Sequence, residues 1–475
     1  MNSHLPPTDG PWARRLLVLL FAGLLFALPV AWASTQYLGQ EIDPALSYNS
    51  VDGWCDQGAF PGFGHHCFGD YTVAALTASH DFNLGGHDFH KGAFPADPDS
   101  AYTSLYPPLG QFVHVVAWIV QQGLFGPSWT FWIYLALLGL AMLAPALWVA
   151  WGRRKSPFAL AVVLVMGVAA LPVIAMLDRG NSAGFAIPLV LAAMVFLGRD
   201  PTWIAPAAIV GAALVRPQFI ILALALVAIG RLRHAIAAVA TFVVVSLMSF
   251  FFVPGGFAAG IRAWIDNVTA FRGGFGDLNN PIPANISIAR TITSVGSWLS
   301  ERPGPIGSFG YWVASTVPKH AFIPALLLLC LTLALFIAAR GRVPRSVAIV
   351  VPVALAVLSP AAVPAYYLGF ALVIAALVIG PDLRAAGGRG VLDIDRDGRT
   401  PWWWGWTLIV ATALSLAPIA LSGDAPEGSP LPRNSYVLEQ VGKVWLVVVV
   451  LGLAWVTMRI WRTWRARPRV RQPVP

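Results

Sequence analysis

Charge is scarce in this sequence. Asp, Glu, Lys and Arg make up 11% of its residues against 57% hydrophobic ones. A chain so poor in charge cannot cover itself with the solvated surface of a soluble domain, and several of its apolar runs are long enough to cross about 30 Å of hydrocarbon. Composition therefore points to an all-α polytopic membrane protein with about ten to twelve transmembrane helices. The net charge of +9 does not signal nucleic acid. Its positive residues fall in clusters between apolar runs: Arg14 and Arg15, Arg153 to Lys155, Arg231 and Arg233, Arg340 to Arg345, and Arg459 to Arg471. Such clusters set membrane orientation and contact anionic membrane lipids.

Cysteine and metal-ligand patterns are equally sparse. Of the three cysteines, Cys330 lies inside an apolar run and is expected to pack there. Cys55 and Cys67 share one acidic segment, where an oxidising compartment favours a disulfide. His65 and His66 lie beside them, but the spacing matches no familiar zinc pattern. The run Asp393-Ile394-Asp395-Arg396-Asp397-Gly398 imitates the first half of a calcium loop, yet its twelfth position is Trp404 rather than an acid. No metal and no cofactor is expected. The chain also lacks convincing internal repeats, which weighs against a transporter built from two halves.

Negative charge is concentrated in one place. Residues 34–108 hold nine of the 22 carboxylates and only one fixed positive charge, Lys91. Because Lys and Arg are retained on the cytoplasmic side, this long segment is expected outside the cytoplasm. It follows a cytoplasmic tail and first span over 1–33, read as a retained anchor rather than a cleaved signal peptide. Spans then occupy 109–253, a second external segment 254–320, further spans 321–459, and a basic cytoplasmic tail 460–475. Between 109 and 230 two topologies stand. Five full crossings satisfy both flanks but place Arg153 to Lys155 outside. Alternatively, 109–125 is a partial element and 203–230 is a hairpin broken at Arg216-Pro217. Trp402, Trp403, Trp404 and Trp406 are expected to form an interfacial belt.

Two polar interruptions stand out. Asp178-Arg179-Gly180-Asn181 separates two apolar runs and Arg216-Pro217-Gln218 cuts another. Charges at such places are costly in a membrane and mark functional sites by default.

Together with Asp70-Tyr71, Tyr106-Pro107-Pro108, Asn285-Ile286-Ser287 with Arg290, and Ser359-Pro360 before Tyr366-Tyr367, these interruptions follow the order of motifs in glycosyltransferase family 87. The chain resembles that family over about 70–370. It departs at Ile286, where Gln often follows the Asn, and at Ala365, where His is common. The resemblance implies a GT-C-like membrane bundle with a long first extracytoplasmic loop. It also implies transfer of mannose, or secondly arabinofuranose, from a polyprenyl-phosphate sugar to a glycolipid or polysaccharide of the cell envelope. A transporter or flippase and a silent scaffold of the same fold are the other classes.

Such transfer needs a base at the acceptor hydroxyl and donors for the departing phosphate. Asp70 is the candidate base, with Asp43, Asp52 and Asp88 as weaker rivals. Arg290, Arg262, Arg179, Asn181, Asn285, Arg216 and Tyr366 are the candidates for binding donor phosphate or substrate. Arg290 is preferred because it follows the Asn-x-Ser element and presents a planar fork to phosphate oxygens. The plasma membrane is the expected location, with the active site facing away from the cytoplasm.

Overall fold

The computed structural model describes residues 11–38, 70–71, 74, 77–78, 81–82, 102–120, 126–152, 158–197, 202–253, 255–274, 285–339, 341–361, 363–380, 392, 400–417 and 433–465. Among the described residues, 17 α-helices alternate with 3-10 turns and one π-helical turn, and the sole β contact is an isolated bridge between Asn285 and Pro364. The chain is an all-α polytopic membrane protein. Cys55, Cys67, Asp43, Asp52, Asp88 and the run Asp393 to Gly398 lie outside the described residues.

Among the described residues, four helices are long and apolar enough to cross a membrane alone: Trp129–Trp151, Leu232–Phe252, Phe322–Ala339 and Gln440–Arg465. Phe322–Ala339 exposes Leu326, Leu327 and Leu331 and buries Ala325, Thr332 and Phe336, the pattern of a helix with one face to lipid. Cys330 falls on the outward face beside Leu327 and Leu331, so the expectation that it packs is corrected. The centre of the bundle belongs to shorter helices. Arg345–Leu358 is buried along nearly its whole length and Ala371–Ile379 throughout.

The tryptophan run also divides. On the helix Trp402–Leu416, Trp402 is exposed, whereas Trp404 is fully buried, donates through Nε1 to Ser346 Oγ at 3.0 Å and packs on Trp455. Successive residues of a helix point about 100° apart, so three adjacent indoles cannot share one interfacial face. Trp402 and Trp406 suit a belt, and Trp404 belongs to the core.

Helix length and polarity favour the second of the two topologies. The helix Gly126–Gly152 has Tyr134 beside Gly180 and Trp148 beside Gly380, which closes Ala371–Ile379 at its far end. It therefore crosses from one end of the bundle to the other. Its neighbour Phe112–Val120 starts at the same end as Tyr134, with His114 Nε2 at 3.5 Å from the Tyr134 hydroxyl. Phe112–Val120 has nine residues, about 13 Å of helix, and is too short to cross alone. Likewise Ile204–Val215 rises to Arg216, and Pro217–Leu222 with Ala223–Ala228 descends again, which makes 203–230 the broken hairpin.

At the descending end, Gly230 meets Gly341, and Arg345 Nη2 donates to Leu197 O at 3.4 Å. The basic pairs around Arg231 and Arg345 thus share one end. The interrupted helices that carry Arg179, Arg216 and Tyr366 converge on the other.

Candidate active site

Four 3-10 turns gather at the converging end: Pro108–Gln111, Ser182–Phe185, Pro217–Leu222 and Ala365–Phe370. Pro107, Arg216 and Pro364 stand extended before three of them, and Asn181 caps the fourth by accepting from Ala183 N at 2.8 Å. Proline starts or directly precedes three of these turns and cannot continue a preceding helix, while the left-handed Gly180 ends the helix before the fourth. The turns are drawn together by packing, including Phe219 on Phe370 with ring centroids 4.5 Å apart.

Asp70 reaches this place from the acidic segment 34–108. Asp70, Tyr71, Ala74, Thr77, Ala78 and Asp81 are helical and recur at spacings of three and four, the signature of one packed helical face. Tyr71 anchors it. Its ring lies 4.5 Å from Tyr134 and 5.3 Å from Phe131, and Gly180 closes the approach. Gly180 has φ 62°, the left-handed cap of Leu171–Arg179, and a Cβ there would stand 2.8 Å from Tyr71 Cβ. Only glycine satisfies both demands at once. Tyr134 donates its hydroxyl to Gly180 O at 2.8 Å and holds that turn to the neighbouring helix.

The Asp70 carboxylate is held by three side chains. Arg179 spans it with a two-pronged fork, Nε to Oδ2 and Nη2 to Oδ1, both at 3.1 Å. Asn181 Nδ2 donates to Oδ2 at 2.7 Å and the Tyr366 hydroxyl donates to the same oxygen at 3.2 Å. Asn181 also joins Asp70 to Arg216, whose Nη2 donates to Asn181 Oδ1 at 2.9 Å. Burial opposes ionisation of Asp70, but Arg179, Asn181 and Arg216 outweigh it and hold the carboxyl below its ordinary value. The group is an oriented anion. Its side chain remains 24% exposed, so an acceptor hydroxyl can still approach.

Arg216 is different. It is buried, stacks over the Tyr106 ring at 4.2 Å, and its Nε has no hydrogen-bond partner among the described residues. A buried guanidinium N–H without an acceptor is uncommon in folded proteins and is a ready donor for an incoming anion.

Of the other candidates, Asn285 forms a neighbouring clamp. Asn285 Oδ1 accepts from Ser287 N at 3.0 Å and Val363 N at 3.1 Å, and its Nδ2 donates to Ala361 O at 3.2 Å. With Ile286 N bonded to Val363 O at 2.9 Å, this grips the loop that delivers Tyr366. Arg290 is half-buried in the first turn of Ile288–Ser300, beyond the Ser287 cap. Arg262 is exposed on Gly256–Gly274. The structure thus brings Asp70, Arg179, Asn181, Arg216 and Tyr366 together, uses Asn285 to position Tyr366, and sets Arg290 and Arg262 on separate helices.

Residues 104–360 match the model of glycosyltransferase family 87, more than half of the chain. This chain belongs to that family. It is a membrane glycosyltransferase by family, and no curated protein matches it. Within this family member, Arg179, Asn181, Arg216 and Asn285 fall inside the matched stretch, whereas Asp70 and Tyr366 come from either side of it. Tyr71, Tyr106 and Tyr134 support the site but were not singled out for it from sequence. Tyr106 had a signal in its Tyr-Pro-Pro motif; Tyr134 is one aromatic residue in an apolar span and had none.

Proposed function

We propose that the protein transfers a sugar, mannose in first place and arabinofuranose in second, from a polyprenyl-phosphate donor to a hydroxyl of a cell-envelope glycolipid or polysaccharide. Asp70 takes the proton of that hydroxyl. The acceptor oxygen bonds to the anomeric carbon as the bond from that carbon to the phosphate oxygen breaks, and polyprenyl phosphate departs with the negative charge. Arg216 and Arg290 offer guanidinium groups to that phosphate. The site faces away from the cytoplasm of the plasma membrane, where nucleotide sugars are absent and lipid-linked donors supply the sugar.

The observation that carries this reading is the Asp70 carboxylate, ionised, partly open and oriented by Arg179, Asn181 and Tyr366 at the end opposite the basic connections. A weak base suffices where the attacked carbon bears oxocarbenium character, because the hydroxyl becomes acidic as its oxygen bonds to carbon. Guanidinium groups supply the positive charge at the phosphate, so turnover is expected to persist in chelator. Membranes holding the parent or Asp70→Asn protein are supplied with polyprenyl-phosphate mannose and a lipid-extract acceptor pool. Transfer by the parent, and its loss in Asp70→Asn, supports the reading. Unchanged turnover in Asp70→Asn removes Asp70 as the base. Absence of transfer by the parent from any polyprenyl donor favours a transporter or silent scaffold.

A further inference from the structure

A second carboxylate, Asp81, lies in the same acidic segment as Asp70 and has no part in the chemistry above. It is fully buried. Oδ1 accepts from Thr103 N at 2.6 Å and Thr103 Oγ1 at 2.8 Å, and Oδ2 accepts from Ser104 N at 3.1 Å and Gln111 Nε2 at 2.7 Å. One side chain therefore ties the helical Asp81 to the extended residues 102–104 and to the turn Pro108–Gln111. Gln111 Nε2 donates further to the Tyr102 hydroxyl at 3.0 Å, and that hydroxyl donates to Tyr106 O. Ser104 Oγ accepts from Tyr106 N at 3.1 Å.

Both backbone polar groups of Tyr106 are thus fixed by residues that Asp81 or its partner Gln111 holds. Helix Gly256–Gly274 fastens the same strip from the other side, with Asn267 Nδ2 on Tyr102 O at 2.7 Å and Trp264 Nε1 on Leu105 O at 3.1 Å. The Tyr106 ring, set in this way, is the one that lies over Arg216. Arg216 in turn holds Asn181, and Asn181 holds Asp70.

We propose that Asp81 is a positioning residue for Arg216. Through Gln111, Ser104 and Tyr102 it fixes the Tyr106 ring as the platform that aims the Arg216 guanidinium at the donor phosphate. A buried carboxylate that accepts several hydrogen bonds is costly to disturb, because each donor it leaves loses a partner that water cannot replace. Asp81→Asn keeps the shape but replaces one accepting oxygen with a donor, so the network around Ser104 and Gln111 breaks. This inference rests on the phosphate-binding reading of Arg216, and its test separates the two.

Purified full-length parent, Asp81→Asn, Tyr106→Leu and the double variant are compared in nanodiscs, with Gln111→Leu as the milder substitute if Asp81→Asn does not fold. Hydrogen exchange needs no ligand. It is expected to rise in 102–111 and also across 212–219, where Arg216 N bonds to Ala212 O and Phe219 N to Arg216 O. Kinetically, each single variant is expected to raise the donor KM roughly tenfold with little change in kcat. The double variant should match the worse single variant, since both act along one path. Exchange confined to 102–111, multiplicative effects in the double variant, or parental donor KM in a folded Asp81→Asn protein would each overturn the proposal. A parent without transferase activity defeats the phosphate reading, while the exchange result still decides whether Asp81 positions Arg216.

Discussion

Asp70 and Asp81 lie about three helical turns apart by sequence spacing, yet their surroundings differ in kind. Asp70 faces the fork of Arg179 and keeps a quarter of its side chain open. Asp81 is closed from solvent and holds backbone N–H groups, a hydroxyl and an amide from the strip that follows it. A carboxylate that is to receive a proton needs an approach and an electrostatic setting that keeps it ionised. One that shapes the chain needs enclosure and as many donors as its lone pairs accept. The contrast teaches that depth alone does not mark the carboxylate proposed as the base.

The sharpest way to break this comparison is the isosteric change at each acid. Asp70→Asn is expected to lower turnover by the ~10²–10⁴-fold associated with general base catalysis. Because the carboxylate also neutralises Arg179, thermal melting should fall too. Asp81→Asn should instead act on donor KM. Equal losses of kcat from the two variants would erase the distinction.

A smaller effect is expected at the hinge beneath Asp70. Gly180→Ala places a side chain at φ 62° and against Tyr71. The left-handed conformation alone costs about 1–2 kcal/mol, and displacement of Tyr71 would move Asp70. Melting temperature and kcat should fall together, and an unaltered kcat would show that the Tyr71 anchor does not set Asp70.

Tyr366→Phe is milder. It removes the hydroxyl that donates to Asp70 and accepts from Asn181 Nδ2 at 2.8 Å. A hydrogen bond to a charged group contributes about 1.5–3 kcal/mol, so kcat should drop roughly tenfold or somewhat more while expression is preserved. Parental kcat would exclude Tyr366 from orienting the base.

The pH profile should show the smallest change within the physiological range. Asp70 has a folded-state value below the ordinary 3.8. Its contribution to stability is therefore complete above that ordinary value and is lost as pH falls through the lower folded one. For the free enzyme, kcat/KM should show no acid limb from this group between about pH 5 and 8. Arg179→Met removes the fork that lowers the value and should move this limb upward in pH, and a limb that stays in place or moves down would contradict the assigned cause.

Much of the fold was legible because the membrane imposes a simple rule on residue order. Long apolar runs must be helical to satisfy their backbone, and Lys and Arg collect between them, so the class and most element boundaries follow from local composition. The interruptions at Arg179 to Asn181 and Arg216-Pro217 were visible as costly polarity, and Asp70 and Tyr366 through the order of family motifs. Which interruptions meet was not visible. Contact between Asp70 and Tyr366, Phe219 and Phe370, or Tyr106 and Arg216 depends on how helices far apart in sequence pack and on which end of the bundle each one starts. The same reason separates Trp404 from Trp402. Sequence by itself determined the membrane class, the chemical types available and the places where helices break. Tertiary structure alone decided that Asp81 is enclosed while Asp70 stays open, and that Arg179, Asn181 and Tyr366 meet at one carboxylate, because partner choice among apolar helices is made by shape and close approach rather than by residue type.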